Sequence, residues 1–239
     1  MSGRVGSITT DIIADGLVFN MDAANRASTV PISTITTSFN TIDTSISGAF
    51  SDNGIFDSST ITPSFAFGGT DDYIETSYDS TGVTGLTVSA WAKANSYGSY
   101  NCISAQWRAN NTSNSSWVLE SVGTKMYFYV DKNGSGASVA AGGNTTISTD
   151  QWYNFSATWD GSTVTLYIDG VAESTTQTGV TSIGVPTTNL SIGCLHNTNG
   201  SIPNGLWNGN ISPVHIYNRA LPANEVLHNY NALKGRFGL

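Results

Sequence analysis

The sequence predicts an all-β protein, a two-sheet antiparallel β-sandwich with one short C-terminal helix. Charged residues make up only 11% of the 239 residues, against roughly 25% in an ordinary domain. Ser, Thr, Asn and Gly take their place, which suits short strands joined by tight turns. Several segments alternate apolar and polar residues with a period of two, and two of them end in Asp-Gly.

The chain is predicted to form one domain, residues 16–239, preceded by an extended arm, residues 1–15. The arm is rich in Ser, Thr and Gly, and its apolar cluster consists of Ile8, Ile12 and Ile13. We expect these isoleucines to order the arm against a partner molecule. The alternative is a frayed terminus.

The strands are predicted in chain order. The first covers residues 16–22, whereas the Thr- and Ser-rich stretch at 28–60 is either strands or a long surface excursion. From residue 61 the pattern is clearer, and 65–76 reads as two short strands around a Gly-rich turn. Apolar and polar residues then alternate over 86–93 and 125–131, as they do in half-buried strands.

Two hairpins and a helix follow. Alternation over 152–159 and 164–168, with Asp-Gly after each segment, predicts an antiparallel meander. A helix is predicted at about 222–233, with Pro222 at its first position and Gly235 just past its end. Its apolar residues recur at helical spacing. They are Val226, Leu227, Tyr230 and Leu233.

Charge and composition exclude several classes of protein. The net charge is −8, and the nine basic residues are scattered singly, which disfavours binding to nucleic acid or to an anionic membrane surface. No apolar run approaches the roughly 20 residues of a membrane span, and the N-terminus lacks an apolar signal region. Cys102 and Cys194 are expected to be buried free thiols, with a disulfide as the alternative.

Several motifs resemble one known family. Residues 67–74 and 86–91 are similar to the middle of a laminin-G-like, concanavalin A-like jelly roll. Residues 152–170 resemble its central hairpins, and 209–222 its closing strand and helix. The resemblance covers roughly residues 14–235 and is weakest at 28–60. It implies the fold well and the function poorly, because this sandwich occurs in lectins, adhesins, enzymes and spacers.

A narrower resemblance concerns the two ends of the chain. Residues 15–25 and 229–239 are similar to jelly-roll proteins of tailed bacteriophages, especially marine ones. This resemblance implies a structural protein at the virion surface, such as a fibre, head decoration or tail appendage, assembled in the host cytoplasm. Its partners would be other virion proteins or copies of itself.

The sequence does not predict an enzyme. Glucanases of this fold carry Glu, Asp and Glu on one strand, and hydrolysis needs two carboxyl groups. The four glutamates, Glu75, Glu120, Glu173 and Glu225, each lack a second acid on the same predicted strand. There is no Gly-x-Ser-x-Gly motif.

A calcium site is possible but disfavoured. The family resemblance implies that Asp71 and Asp72, in the turn before a strand, match the first half of a calcium site. Ser212 and Pro213 occupy the place in the closing strand where relatives carry acids. Calcium prefers six to eight oxygen ligands, several of them carboxylates. We therefore expect Asp71 and Asp72 to be turn formers, and no cofactor.

Two groups of residues have the side chains that lectins use for glycans. The first contains Tyr97, Tyr100, Asn101, Trp107, Arg108 and Asn110; the second contains His196, Asn197, Asn199, Asn204 and Trp207. Aromatic rings would stack on sugars, and amides would bind hydroxyl groups. The alternative is that Trp107 and Trp207 are core residues and the Asn-rich segments are turns.

The function expected from the sequence is therefore a non-enzymatic virion structural protein with a lectin-like domain that adheres to cell-surface polysaccharide. A carbohydrate-binding module or adhesin of a bacterial cell surface is the alternative. A glycoside hydrolase comes third.

Overall fold

The computed structural model shows two antiparallel β-sheets packed face to face. It describes residues 12–239 except 26, 29–34, 53–54, 59–61, 110–114, 133–134, 136, 198 and 200–201. A short helix near the C-terminus packs on one sheet. The predicted all-β sandwich with one C-terminal helix is confirmed.

The described chain contains sixteen strands. They are β1 (Leu17–Met21), β2 (Thr37–Phe39), β3 (Ser47–Phe50), β4 (Phe56–Asp57), β5 (Ser64–Gly68), β6 (Ile74–Thr76), β7 (Leu86–Ala94), β8 (Asn101–Gln106), β9 (Trp117–Val122), β10 (Lys125–Asp131), β11 (Ser138–Gly142), β12 (Trp152–Trp159), β13 (Thr163–Ile168), β14 (Val171–Thr178), β15 (Leu190–Ile192) and β16 (Asn208–Tyr217).

Each sheet has eight of these strands. Sheet A has the order β14-β13-β12-β7-β16-β5-β4, and β1 also pairs with β16. The first half of β16 pairs with β5 and the second half with β1, so these two strands follow one another along the same side. Sheet B has the order β11-β10-β9-β8-β15-β6-β3-β2.

The main core lies between the sheets and follows the predicted alternation. On β7, Leu86, Val88 and Ala90 point into the core, and on β12 Phe155 and Ala157 do the same. The alternating residues face outward, because successive side chains of a strand point to opposite faces. A period of two in the sequence therefore identified the buried face of these strands.

The Asp-Gly pairs form the predicted hairpins. β12 pairs with β13, and β13 pairs with β14. Asp169 and Gly170 have φ angles of 52° and 77°, the left-handed values that the turn between β13 and β14 requires. Asp160 Oδ1 accepts hydrogen bonds from the backbone N–H groups of Ser162 and Thr163, which closes the other turn.

The stretch that the sequence left open, 28–60, contains short strands. β2 and β3 form a hairpin at one edge of sheet B, and β4 lies at one edge of sheet A. Asn40, between β2 and β3, is buried, and its amide accepts and donates hydrogen bonds to the backbone of β1. These short edge strands were not predicted because their apolar residues lack a regular period.

The helix α1 covers Ala223–Leu233, close to the predicted 222–233, but its capping residues differ from the prediction. Pro222 is the N-cap rather than the first helical residue, since its ψ of 159° is extended and its carbonyl accepts the Val226 N–H. Gly235 does not end the helix. A 3-10 turn, Lys234–Phe237, continues it, and Gly238 takes the left-handed conformation instead.

No helix among the residues described is long and apolar enough to cross a membrane.

This C-terminal segment covers the outer face of sheet A. The ring of Phe237 stacks on Trp91 at 4.1 Å between centroids, and the ring of Tyr230 also stacks on Trp91 at 5.6 Å. Arg236 donates two hydrogen bonds of 2.8 Å to the carboxylate of Asp22. Stacking and a bidentate ion pair therefore join the C-terminal segment to β7 and to the residue that follows β1.

The residues of the predicted arm that the structure describes lie on the same domain. Ile13 packs against a small apolar cluster beneath α1, and its N–H donates to Asn229 Oδ1 at 2.8 Å. Ile12 is half-buried. Ile8 lies outside the described residues, so the partner contact predicted for the arm stays a prediction.

Candidate functional site

A concave pocket of about 350 Å³ lies on the outer face of sheet B. It combines aromatic rings, one acid, one amide and several apolar side chains. Its lining residues are Tyr100, Trp107, Ala109, Val118, Glu120, Tyr129, Ser138, Leu195 and Asn204. The volume falls within the range of small-ligand sites, about 300–1,000 Å³.

Two neighbouring strands form the floor of the pocket. On β9, Trp117 and Leu119 point into the main core, so Val118 and Glu120 point outward. On β10 the outward residue Tyr129 stacks on Tyr127, with ring centroids 5.7 Å apart and an interplanar angle of 22°. The floor therefore places Tyr129 beside Val118 and Glu120, and Tyr127 supports the Tyr129 ring from outside the lining.

A second, smaller apolar cluster supports this face. It contains Cys102, Ala105, Trp107, Val118 and Leu195, with Ala109 and Tyr129 packed against it. Trp107 is only 7% exposed, whereas Tyr100 at the rim is 59% exposed. One ring of the pocket is thus fixed by packing, and another stands in solvent.

One wall of the pocket is a loop closed by backbone pairing. Leu195 and Asn204 exchange N–H···O hydrogen bonds of 2.8 Å in both directions. The Asn204 side chain also donates to Asn197 Oδ1 at 2.8 Å, and Asn197 Nδ2 donates to the carbonyl of Pro203 at 3.2 Å. These bonds hold the Asn204 side chain at the pocket while its remaining acceptor capacity is open to a ligand.

Glu120 is the acid of the pocket and is only 7% exposed. Burial raises the pKa of its carboxyl group from the ordinary 4.5 to about 7. No hydrogen bond or ion pair to this carboxyl group occurs among the residues that the structure describes. A ligand in the pocket could therefore offer this carboxyl group a hydrogen-bond donor or a positive charge.

Tyr97 and Asn101 of the first predicted group lie away from the pocket. The Tyr97 hydroxyl donates to the carbonyl of Ser148 at 3.2 Å, and its ring meets Trp207 edge to face. Asn101 Nδ2 donates to the carbonyl of Leu206 at 2.7 Å. Both side chains brace loops.

The structure places other predicted residues near the pocket or in the core. Tyr100 and Trp107 line the pocket, Arg108 forms a backbone bridge with buried His196, and Asn197 braces the wall. Trp207 is 1% exposed and belongs to the main core, so its ring has no face for a ligand. Asn110 lies outside the described residues.

Sequence reasoning missed six of the nine residues that line the pocket, among them the acid Glu120 and the ring of Tyr129. Glu120 and Tyr129 became site residues only through the pairing of β9 with β10, which brings Tyr129 opposite Val118 and Tyr127 opposite Glu120. The available signal was the alternation of Tyr127 and Tyr129 with the core residues Met126, Phe128 and Val130. It places two tyrosines on one outer face.

Asp71 and Asp72, the residues considered for a metal, form hydrogen bonds within the turn between β5 and β6. Asp72 Oδ2 accepts the Gly68 N–H, and Asp71 Oδ1 accepts the Thr70 hydroxyl at 2.8 Å. Ser212 accepts the Ala23 N–H at 2.9 Å. Within the described ranges there is no group of three or more His, Cys, Asp or Glu side chains that could hold a metal ion.

Both cysteines are buried free thiols. Burial raises the pKa of Cys102 well above its ordinary value and that of Cys194 to about 12. Protonated, buried thiols are poor nucleophiles.

The chain belongs to the concanavalin A-like lectin/glucanases superfamily, whose laminin-G-type model matches residues 67–227. This confirms the family resemblance. A comparison with curated protein sequences gives no match.

Solved structures of similar fold include toxin receptor-binding domains and a module of a polysaccharide-degrading enzyme. The binding domain of botulinum neurotoxin DC in complex with SialylT has a TM-score of 0.67 and 12% identity, covering 92% of this chain and 52% of that one. The receptor-binding domain of botulinum neurotoxin D has a TM-score of 0.65 and 15% identity, with 91% and 52% covered. This chain spans about half the length of those domains.

The third structure matches over nearly its full length. Domain 4 of AbnA, an extracellular arabinanase from Geobacillus stearothermophilus, was solved in complex with arabinotriose. It has a TM-score of 0.60 and 17% identity, covering 90% of this chain and 98% of that one. At these identities the likeness is one of fold.

Proposed function

We propose that this protein is a non-enzymatic glycan-binding module and that the pocket on sheet B is its binding site. The observation that carries the proposal is the combination of aromatic rings with a buried acid and an amide in one concavity. Tyr100 and Trp107 provide the rings, Glu120 the acid and Asn204 the amide.

These side chains match the chemistry of a sugar. The C–H faces of a sugar ring are apolar and pack on aromatic rings, while its hydroxyl groups form hydrogen bonds with acids and amides. Glu120 has a carboxyl group that lacks a donor within the described structure, so a sugar hydroxyl would supply one. The structures solved with SialylT and with arabinotriose support the proposal, because each shares this fold.

A binding function is favoured over hydrolysis by the composition of the pocket. Hydrolysis of a glycosidic bond uses two carboxyl groups about 5–10 Å apart on either side of the bond. Glu120 is the only carboxylate among the described residues that line the pocket. We propose that the pocket holds a glycan without cleaving it.

We further propose the surface of a bacteriophage virion as the setting. The support is the similarity of residues 15–25 and 229–239 to jelly-roll proteins of tailed phages. The protein would then display its pocket toward the polysaccharide of a host cell, and its contacts would be other virion proteins or further copies of itself. Mass spectrometry of purified particles tests this setting, and absence of the chain from every particle preparation would refute it.

The binding proposal is tested with a glycan array followed by calorimetry on the hits. Tyr100→Ala removes an exposed ring of the pocket and should weaken binding by about tenfold with little change in melting temperature. The matched control is Phe39→Ala, which removes another exposed aromatic ring of sheet B, at its far edge. Equal affinity of wild type and Tyr100→Ala, or no hit at all, would refute the proposed site.

A further inference from the structure

The pocket on sheet B has a negative group and no positive one. Its described lining contains Glu120 but neither Lys nor Arg. We propose that the pocket binds the ammonium group of a cationic ligand, with Glu120 as its counter-ion; this rests on the proposed function, since the ligand we infer is an amino sugar with a free amine.

The first argument is electrostatic. The titratable groups that act on Glu120 or feel its charge are Cys102 from β8 and Tyr129 from β10, with Tyr127 and Tyr100 close to Tyr129. None of them is a cation; Lys125, on the same face of β10 as Tyr127 and Tyr129, donates instead to the carbonyl of Asn144. An ionised carboxylate buried among neutral groups is costly, and a cation placed beside it offsets that cost more effectively than a neutral hydroxyl group does.

The second argument is the aromatic surround. The rings of Tyr100, Trp107 and Tyr129 all line the pocket that Glu120 enters. The face of an aromatic ring carries partial negative charge and attracts a cation, most strongly when the cation is removed from water. Aromatic rings and one carboxylate in the lining of one cavity suit an alkylammonium group. A neutral or anionic sugar would use only part of this arrangement.

The third argument is the direction in which the pKa of Glu120 is shifted. Burial raises the pKa of its carboxyl group to about 7, so the ionised and neutral forms are both populated near neutrality. A bound cation favours the ionised form. Binding of a permanently charged ammonium ligand should therefore strengthen as pH rises toward 7 and level off above it.

The same arrangement predicts which ligands are rejected. A sugar that carries a carboxylate would bring a second negative charge beside Glu120, and the two like charges would repel. N-acetylation removes the charge from an amino sugar. We expect selection for the free amine over both the N-acetylated and the acidic sugar.

Two pairs of probes separate the charge from the shape of the ligand. Choline is compared with 3,3-dimethylbutan-1-ol, which has nearly the same shape but no charge. A tetrasaccharide of glucosamine is compared with its N-acetylated form. In calorimetry with the full chain, each charged member should bind about tenfold or more tightly than its neutral partner.

Two variants assign the preference to one side chain. Glu120→Gln keeps the shape of the side chain and removes its charge, so it should abolish the preference for the charged probe of each pair. Glu75→Gln is the matched control, because Glu75 lies on the same sheet and is not among the residues that line the pocket. It should preserve the preference.

The outcomes distinguish this inference from the function on which it rests. Equal binding of the charged and neutral tetrasaccharides, unaffected by Glu120→Gln, would overturn the ammonium site but leave glycan binding standing. Binding of choline without either tetrasaccharide would support the ammonium site and overturn the amino sugar as its ligand. Failure of all four probes would overturn the inference, whereas hits on a neutral-glycan array would still support the broader proposal.

Discussion

Glu120→Gln should stabilise the protein more strongly as pH rises. Burial raises the pKa of this carboxyl group from 4.5 to about 7 in the folded protein. Below pH 4.5 the group is protonated in both the folded and the unfolded chain, so folding buries a neutral carboxyl group. Above that pH the unfolded chain releases the proton first. Stability therefore falls until the folded carboxyl group ionises near pH 7 and is constant beyond it.

The size of the effect follows from the two pKa values. A difference between 4.5 and about 7 corresponds to about 3 kcal/mol of unfolding free energy, at roughly 1.4 kcal/mol per pH unit. For a chain of this length, 1 kcal/mol moves the melting temperature by about 2–4 °C. The advantage of Glu120→Gln over wild type should grow by roughly 6–12 °C between pH 4 and pH 8.

Thermal melts of wild type and Glu120→Gln across this pH range measure the prediction. Only the change of the difference with pH is informative, because Gln and the protonated acid both bury a polar group. Glu75→Gln, which removes the same charge outside the pocket, should show a much smaller change. A difference between wild type and Glu120→Gln that is constant from acid to neutral pH would show that Glu120 is not buried as described.

Three further outcomes are expected. Phe237→Ala removes the ring stacked on Trp91 and should lower the unfolding free energy by about 3 kcal/mol, measured by urea denaturation; an unchanged midpoint would contradict the packing. A chelator should leave the melting temperature unchanged, because Asp72 is occupied by the Gly68 N–H; a lower temperature would reveal a metal. An aromatic disulfide reagent should label Cys102 and Cys194 only after unfolding, and fast labelling of the native protein would contradict their burial.

The fold could be predicted from the sequence because its signals are local. The alternation of Leu86, Val88 and Ala90 with polar residues needs no knowledge of the rest of the chain, and it identifies the inner face of β7. The Asp169-Gly170 turn is equally local, since two left-handed residues determine the hairpin by themselves. The edge strands β2, β3 and β4 lack such signals and depend on neighbours elsewhere in the sequence.

The candidate site depends on contacts between distant parts of the chain, and the sequence predicted it only in part. Trp107 and Trp207 have similar polar neighbours in sequence, yet one lines the pocket and the other fills the core. The difference arises because Trp107 follows β8 and packs in the small cluster behind the pocket, whereas Trp207 precedes β16 and packs between the two sheets. In the sequence, Glu120 follows three apolar residues and gives no sign of a site. In the fold, Leu195 and Asn204 lie beside it in the lining of the pocket. These relations come from tertiary pairing, which no local pattern records.

Strand β16 has a consequence for how the protein folds. It lies in the middle of sheet A and pairs with β1, β5 and β7, although it is the last strand of this sequence. During synthesis, the edges of those three strands stay open until residues 208–217 emerge. Contacts between residues so far apart in sequence make folding slow, and unpaired edges invite association with other chains. Insertion of β16 therefore covers three strand edges in a single step.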